Sequence, residues 1–129
     1  MACLGQMAIT LRIDEKKNRI YLVLTGLMTD EEMTRAAEET IAEVRKLRRG
    51  FTVLTDISQF RPMTKFGVEE VKRVGIFCAQ HGMKATARIV GISATAHAQF
   101  ARVAKENGYT AYNVHTLEEA DKVLDEHQD

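Results

Sequence analysis

Hydrophobic and polar positions along this chain follow two alternating periods, two residues and about 3.6 residues. Ile9, Leu11 and Ile13 alternate with Thr10, Arg12 and Asp14, the pattern of a half-buried strand. The polar stretch Glu15-Lys16-Lys17-Asn18 follows, and then Arg19 to Thr25 reads as a second strand. A link that short permits only an antiparallel hairpin. Met33, Ala37, Ile41, Val44 and Leu47 then recur on one helical face. Thr29 with Glu32 forms a capping box at its start, because each side chain satisfies the other residue's free backbone donor. Asp30, Glu31 and Glu32 suit the positive end of that helix, Arg45, Lys46 and Arg48 the negative end, and Gly50 is the stop.

Phe51 to Thr55 is apolar on both faces, as a covered central strand requires. An irregular loop is expected from Asp56 to about Lys65, holding the single proline, Pro62. A second helix spans about Phe66 to Gln80, with Val68, Val71, Gly75, Cys78 and Ala79 inward. Ala85 to Ile92 reads as a fourth strand. Ala94 to Asn107 reads as a third helix, with Ala96, Phe100, Val103 and Ala104 inward and Gly108 as its stop. Thr110 to Val114 is a short fifth strand. Thr116 with Glu119 opens a final helix through Leu117, Ala120, Val123 and Leu124 with a second capping box.

The order is ββαβαβαβα, an α/β fold with four helices. Each strand–helix–strand link implies a right-handed crossover between parallel neighbours. The sheet is therefore mixed: five strands, four mainly parallel, with the first antiparallel at an edge. One domain over residues 1–129, with an ordered core of about 8–126, accommodates the whole pattern.

Charge and composition narrow the function classes. With 18 Lys+Arg against 18 Asp+Glu the formal net charge is zero, which excludes a general polyanion or nucleic-acid binder. A hydrophobic fraction of 45% excludes a disordered chain. The two cysteines, Cys3 and Cys78, form no CxxC pair; Cys3 reads as an unpaired thiol near the terminus and Cys78 as a buried small hydrophobe. No secretory leader and no apolar run of ~20 residues is visible, so cytoplasmic residence without a membrane span is expected.

Standard catalytic templates are missing. There is no GxGxxG, no GxxxxGK[ST] and no HExxH, so no cofactor and no metal is expected. Gly91-Ile92-Ser93-Ala94-Thr95 begins like a nucleophile elbow, but Thr95 stands where the turn needs glycine, and Ser93 reads as a helix-start residue. His81 and His127 lie near helix ends, His97 on a first helical turn, and His115 before a helix. Glu118 to Asp129 carries six acids against one lysine, which reads as a solvated helix face or a partner patch.

The segment after the central strand, Asp56 to Gly67, holds the candidate site, because parallel sheets place sites at the carboxyl ends of their strands. Arg61 and Lys65 flank a helix start that favours acids, and Thr64 is placed to cap it. Free backbone N–H groups, a hydroxyl and two cations suit an anion: a phosphate, a lipid headgroup or a partner's carboxylate. The competing reading is a solvated loop in which Asp56 and Ser58 make local turn hydrogen bonds. Phe60, Pro62, Met63 and Phe66 are apolar for a surface loop, and either pack beneath it or form a contact surface.

The element order and the segment Thr55-Asp56-Ile57-Ser58-Gln59-Phe60 resemble the STAS domain family (sulphate transporter and anti-sigma-factor antagonist), in particular its SpoIIAA-like branch. In that family the third strand ends in Asp-Leu-Ser and an apolar residue, and the loop runs to Asp-Ser-Ser-Gly at the next helix. The likeness in order covers about residues 8 to 126; its sequence-specific part is Asp56, Ile57, Ser58, Phe60 and Gly67. An ungapped reading puts Thr64, Lys65, Phe66 and Gly67 at Asp-Ser-Ser-Gly, so the family's phosphorylated serine falls on Phe66, which accepts no phosphate. Thr64 or Ser58 remains as an alternative acceptor, and at Thr64 the helix N-terminus and Lys65 would favour the added charge.

The resemblance implies a non-enzymatic regulatory module of bacterial origin. Its contact with a protein partner would run through Asp56, Ser58, Arg61, Thr64, Lys65 and Phe66 and along helix two. The alternative is a small-ligand domain, for a lipid or nucleotide, with Met28, Met33, Met63, Phe66 and Phe77 as candidate pocket residues. A small hydrolase using Asp56 with Ser58, Ser93 or His97 ranks last, since spacing assembles no nucleophile–base–orienter set. The edge strand at residues 8–14, guarded by Arg12 and Asp14, leaves a homodimer open.

Overall fold

A computed structural model describes residues 9–128. Cys3 and Asp129 lie outside the described residues. The elements are β1 (Ile9–Asp14), β2 (Arg19–Gly26), α1 (Asp30–Val44), β3 (Thr52–Phe60), α2 (Lys65–Gln80), β4 (Ala85–Ile89), α3 (Ala94–Asn107), β5 (Ala111–Val114) and α4 (Leu117–His127). They form one sheet in the order β1-β2-β3-β4-β5. β1 pairs with β2 antiparallel and every other neighbour is parallel. The expected α/β class, element order and antiparallel edge are thus all present.

Alternation along the strands sorts side chains between two helical layers. Ile20, Leu22 and Val53 meet Val44, Leu47 and Cys78, and Leu24 and Ile57 meet Met33, Ala36 and Phe100. That face carries α1, α2 and α3. The opposite face of the sheet packs against α4: Tyr21, Leu54, Ala85, Ala87 and Ile89 meet Ala120 and Leu124. Small residues at 85, 87 and 120 let α4 lie close to the sheet. Cys78 is free and buried, and burial pushes its thiol up to about 12.

The helix caps follow the sequence with small differences. Thr29 and Glu32 form the full capping box of α1. Thr116 caps α4 through the Glu119 N–H, but the Glu119 carboxylate reaches one residue further and accepts from the His115 N–H at 2.8 Å. Ser93 caps α3, accepting from the Ala96 N–H at 3.0 Å. α1 ends at Val44, so Arg45, Lys46 and Arg48 lie just past its last turn. Ala79 is exposed, not inward, because it stands about 100° around the helix from Cys78, past the buried face set by Gly75 and Cys78. β4 ends at Ile89 and not Ile92, since Gly91 and Ile92 turn toward β3.

The acidic last helix is more than a solvated face. Arg19, fully buried on the α4 side of β2, donates to Asp121 at 2.6 Å, Asp125 at 2.9 Å, Gln128 at 2.9 Å and Thr52 at 2.8 Å. The Tyr21 hydroxyl also donates to Asp121, at 2.7 Å. Burial pushes the Asp121 carboxyl up, but the bonds from Tyr21 and Arg19 outweigh it and the net shift is downward. A lowered carboxylate contributes stability that is present above its ordinary value of about 3.9 and is lost as pH falls through the lowered one. Wild-type protein should therefore lose stability below about pH 4, and Asp121→Asn should flatten that loss. Denaturant midpoints at stepped pH check this; equal acid slopes for both proteins would contradict it.

Among the described residues no helix is long and apolar enough to cross a membrane.

Candidate functional site

The segment expected as a loop from Asp56 is mostly strand: β3 continues to Phe60, and only residues 61–64 lie between β3 and α2. Its irregularity has a definite origin. Val23 pairs with Asp56 and Thr25 with Gln59, so β3 spends three steps where β2 spends two. One extra residue in β3 makes a bulge, and β4 has already left the ladder at Ile89 opposite Asp56. Inside the bulge Asp56 Oδ1 accepts the Ser58 N–H at 2.9 Å and the Ser58 hydroxyl at 2.6 Å. These are the local turn bonds of the solvated-loop reading, and they hold both side chains to each other.

The bulge is pinned from the β4 side. The Ile92 N–H donates to the Ser58 carbonyl at 3.1 Å. A Cβ placed on Gly91 would lie 2.3 Å from that same oxygen, so only glycine permits this approach. From the other side the Arg61 N–H donates to the Gly26 carbonyl at 3.0 Å. Gln99 on α3 then clamps Met63, accepting from its N–H at 2.9 Å and donating to its carbonyl at 3.0 Å. The ends of β2, β3 and β4 and the starts of α2 and α3 are thereby tied into one edge.

Thr64 is the cap of α2, as expected: its hydroxyl oxygen accepts the Gly67 N–H at 3.0 Å. The same hydroxyl donates to Asp30 at 2.7 Å. A carboxylate therefore already stands at this helix N-terminus, and a phosphate on Thr64 would face it at close range. The favourable field expected there from Lys65 and the helix start is opposed by Asp30. Arg61, Lys65 and Phe66 all project outward, and among the described residues neither cation has a carboxylate partner.

The apolar loop residues divide. Phe60 is fully buried, in edge-to-face contact with Phe100, and Met63 is buried in the same cluster. Phe66 remains 46% exposed. Two side chains that sequence reasoning missed share its edge of the sheet: Leu27 before α1, 75% exposed, and Ile92 before α3, 63% exposed. Each is a large hydrophobe in a connection at a strand's carboxyl end, which was the available signal. A shallow groove lined by Phe66, Glu69, Glu70, Lys72, Arg73 and Ile76 continues along α2.

Of the residues named for a ligand pocket, Met28, Met33 and Met63 pack together as core, and Phe66 and Phe77 lie outside that cluster. Met28 and Met63 fill the core, Phe66 faces solvent, and Phe77 stacks on His81 at 5.5 Å. Only Met33 of the five lines the partly open cavity between the sheet and α1–α3. That cavity, about 90 Å³, is far too small for a lipid or a nucleotide.

No family model matches the chain, and no curated protein matches it. Among solved structures the chain is similar to one described as the crystal structure of an anti-sigma factor antagonist from Mycobacterium paratuberculosis. The TM-score is 0.60 at 11% identity, over 94% of this chain and 97% of that one. The chain has the STAS-like fold that the sequence resembles.

Proposed function

We propose that this chain is a non-enzymatic STAS-like regulatory module that captures a protein partner through the strand-end edge and the start of α2. One observation carries the reading: Leu27, Phe66 and Ile92 stand exposed at the same edge, beside Arg61 and Lys65. Apolar anchors with a guanidinium at hand are the composition of an interface core. The edge is also rigid, held by the Gly26–Arg61, Ser58–Ile92 and Met63–Gln99 bonds, so little ordering opposes binding. The hydroxyls that a hydrolase would use are engaged locally, Ser58 on Asp56 and Ser93 as a cap. That a structural neighbour is described as an anti-sigma factor antagonist supports a protein as the partner.

With Phe66 at the position where the resemblance places a phosphorylated serine, capture does not depend on phosphorylation there. Joint alanine substitution of Arg61, Lys65 and Phe66 should weaken capture by on the order of 100-fold or more, as loss of central interface anchors does. The circular dichroism spectrum should be unchanged, since these side chains are solvent-facing. Unchanged capture by the folded variant would overturn the proposal.

A further inference from the structure

β4 brings one charged side chain into the interior. Along Ala85–Ile89, positions 85, 87 and 89 face α4, while Thr86 and Arg88 face the α1–α3 layer. Arg88 is 3% exposed. It lines the cavity whose apolar wall includes Met33, Val71, Val74 and Phe100, and its guanidinium sits 5.5 Å from the centre of the Phe100 ring. Its Nη1 is buried without any hydrogen-bond partner. Among the described residues no carboxylate pairs with it.

This contrasts with the other buried arginine. Arg19 has two carboxylates, an amide and a hydroxyl on its donors. Buried charges are as a rule paired, because an unpaired one loses its hydration with nothing in return. The acid nearest in role does not fill the gap. Glu70 lines the same cavity, but its carboxylate accepts from Arg73 Nε at 2.7 Å and from the Thr34 hydroxyl at 2.8 Å. Arg73 draws the Glu70 carboxyl below its ordinary range against an opposing effect of burial, so Glu70 is a committed anion. Tyr109 is the polar side chain that acts on Arg88, and burial outweighs it in pulling the Arg88 guanidinium down.

We infer that this cavity is a binding site for a small aliphatic carboxylate, with its oxygens on Arg88 and its carbon chain against Met33, Val71, Val74 and Phe100. A guanidinium presents paired donors that match a carboxylate's two oxygens. The cavity's size sets the length of the chain. An apolar cavity of ~150 Å³ holds benzene, so about 90 Å³ takes a molecule of a few non-hydrogen atoms. Propionate has that size. The site lies inside the α1–α3 layer, separate from the exposed edge, and stands or falls independently of partner capture.

The test is a titration of the full chain, followed by amide NMR and by the melting temperature, with propionate, with 1-propanol as the neutral counterpart, and with chloride. Propionate at millimolar concentration should shift amides around Arg88, Phe100 and Tyr109 and raise the melting temperature. Propanol and chloride at equal concentration should not. Arg88→Lys keeps the charge but loses the paired donors, and should weaken the response about tenfold. Arg88→Met should abolish it. No response of the wild type to propionate, an equal response to propanol or chloride, or an undiminished response in Arg88→Lys would each overturn the inference. The wild-type comparison stands even where Arg88→Met does not fold.

Discussion

Replacing Arg19 with alanine should lower the melting temperature by roughly 10 °C. Arg19 is completely buried and joins β2 to Asp121 and Asp125 of α4 and to Gln128 at once. Breaking a buried ion pair by removing one member costs about 3–5 kcal/mol. The lower end applies, because Asp125 is half exposed and Asp121 is partly so, and both carboxylates can recover water. In a domain whose total stability is ~5–15 kcal/mol, about 3 kcal/mol is a large share. The loss should be concentrated in α4, with amide exchange fastest there. Arg19→Met retains the stem's packing and should lose less. A melting temperature for Arg19→Ala within about 2 °C of wild type would show the clamp to be energetically idle.

Gly91→Ala should have the second large effect. The added Cβ would meet the Ser58 carbonyl oxygen at 2.3 Å, its Cα at 2.5 Å and its carbonyl carbon at 2.8 Å. All three are backbone atoms and no rotamer relieves them, so the chain must move at a cost of about 2–3 kcal/mol. The movement would pull the Ile92 N–H off Ser58 and distort the β3 bulge, so partner capture should fall together with stability. Gly75→Ala is the control. Its Cβ would approach Asn107 Nδ2 at 2.7 Å, the Tyr109 hydroxyl at 2.9 Å and Tyr109 Cε2 at 3.2 Å, all side-chain atoms and none of them backbone. Its cost should be smaller than that of Gly91→Ala, since side chains adjust more readily than backbone. Chemical denaturation of the two variants ranks them, and a Gly75→Ala loss equal to that of Gly91→Ala would refute the backbone-clash account.

Local rules made most of this fold legible. Thr29 with Glu32, Thr64, Ser93 and Thr116 each mark a helix start, and all four caps form. Period-two alternation in Ile9–Asp14 marks the edge strand. What stayed hidden depends on long-range contacts. Asp56, Ser58 and Gln59 are polar and read as loop, yet pairing with β2 carries the strand through them by way of a bulge. Arg19 opens a strand and gives no local hint that its partners lie 102 and 106 residues away. Arg88 did leave a trace: a charged residue within a central strand buried at every position is an anomaly, and the cavity is its counterpart. For the candidate site, Arg61, Lys65 and Phe66 could be placed from the sequence, whereas Leu27 and Ile92 join them only once the parallel order puts three strand ends side by side.

The central claim is that a partner docks on that edge. A photoreactive side chain introduced in living cells at Leu27 or at Ile92, and separately at Lys122 on the exposed face of α4, tests it most directly. The account predicts the same protein crosslinked from positions 27 and 92, none from position 122, and loss of the crosslink when Arg61, Lys65 and Phe66 are alanine. A partner crosslinked from position 122 and not from 27 or 92 would contradict it.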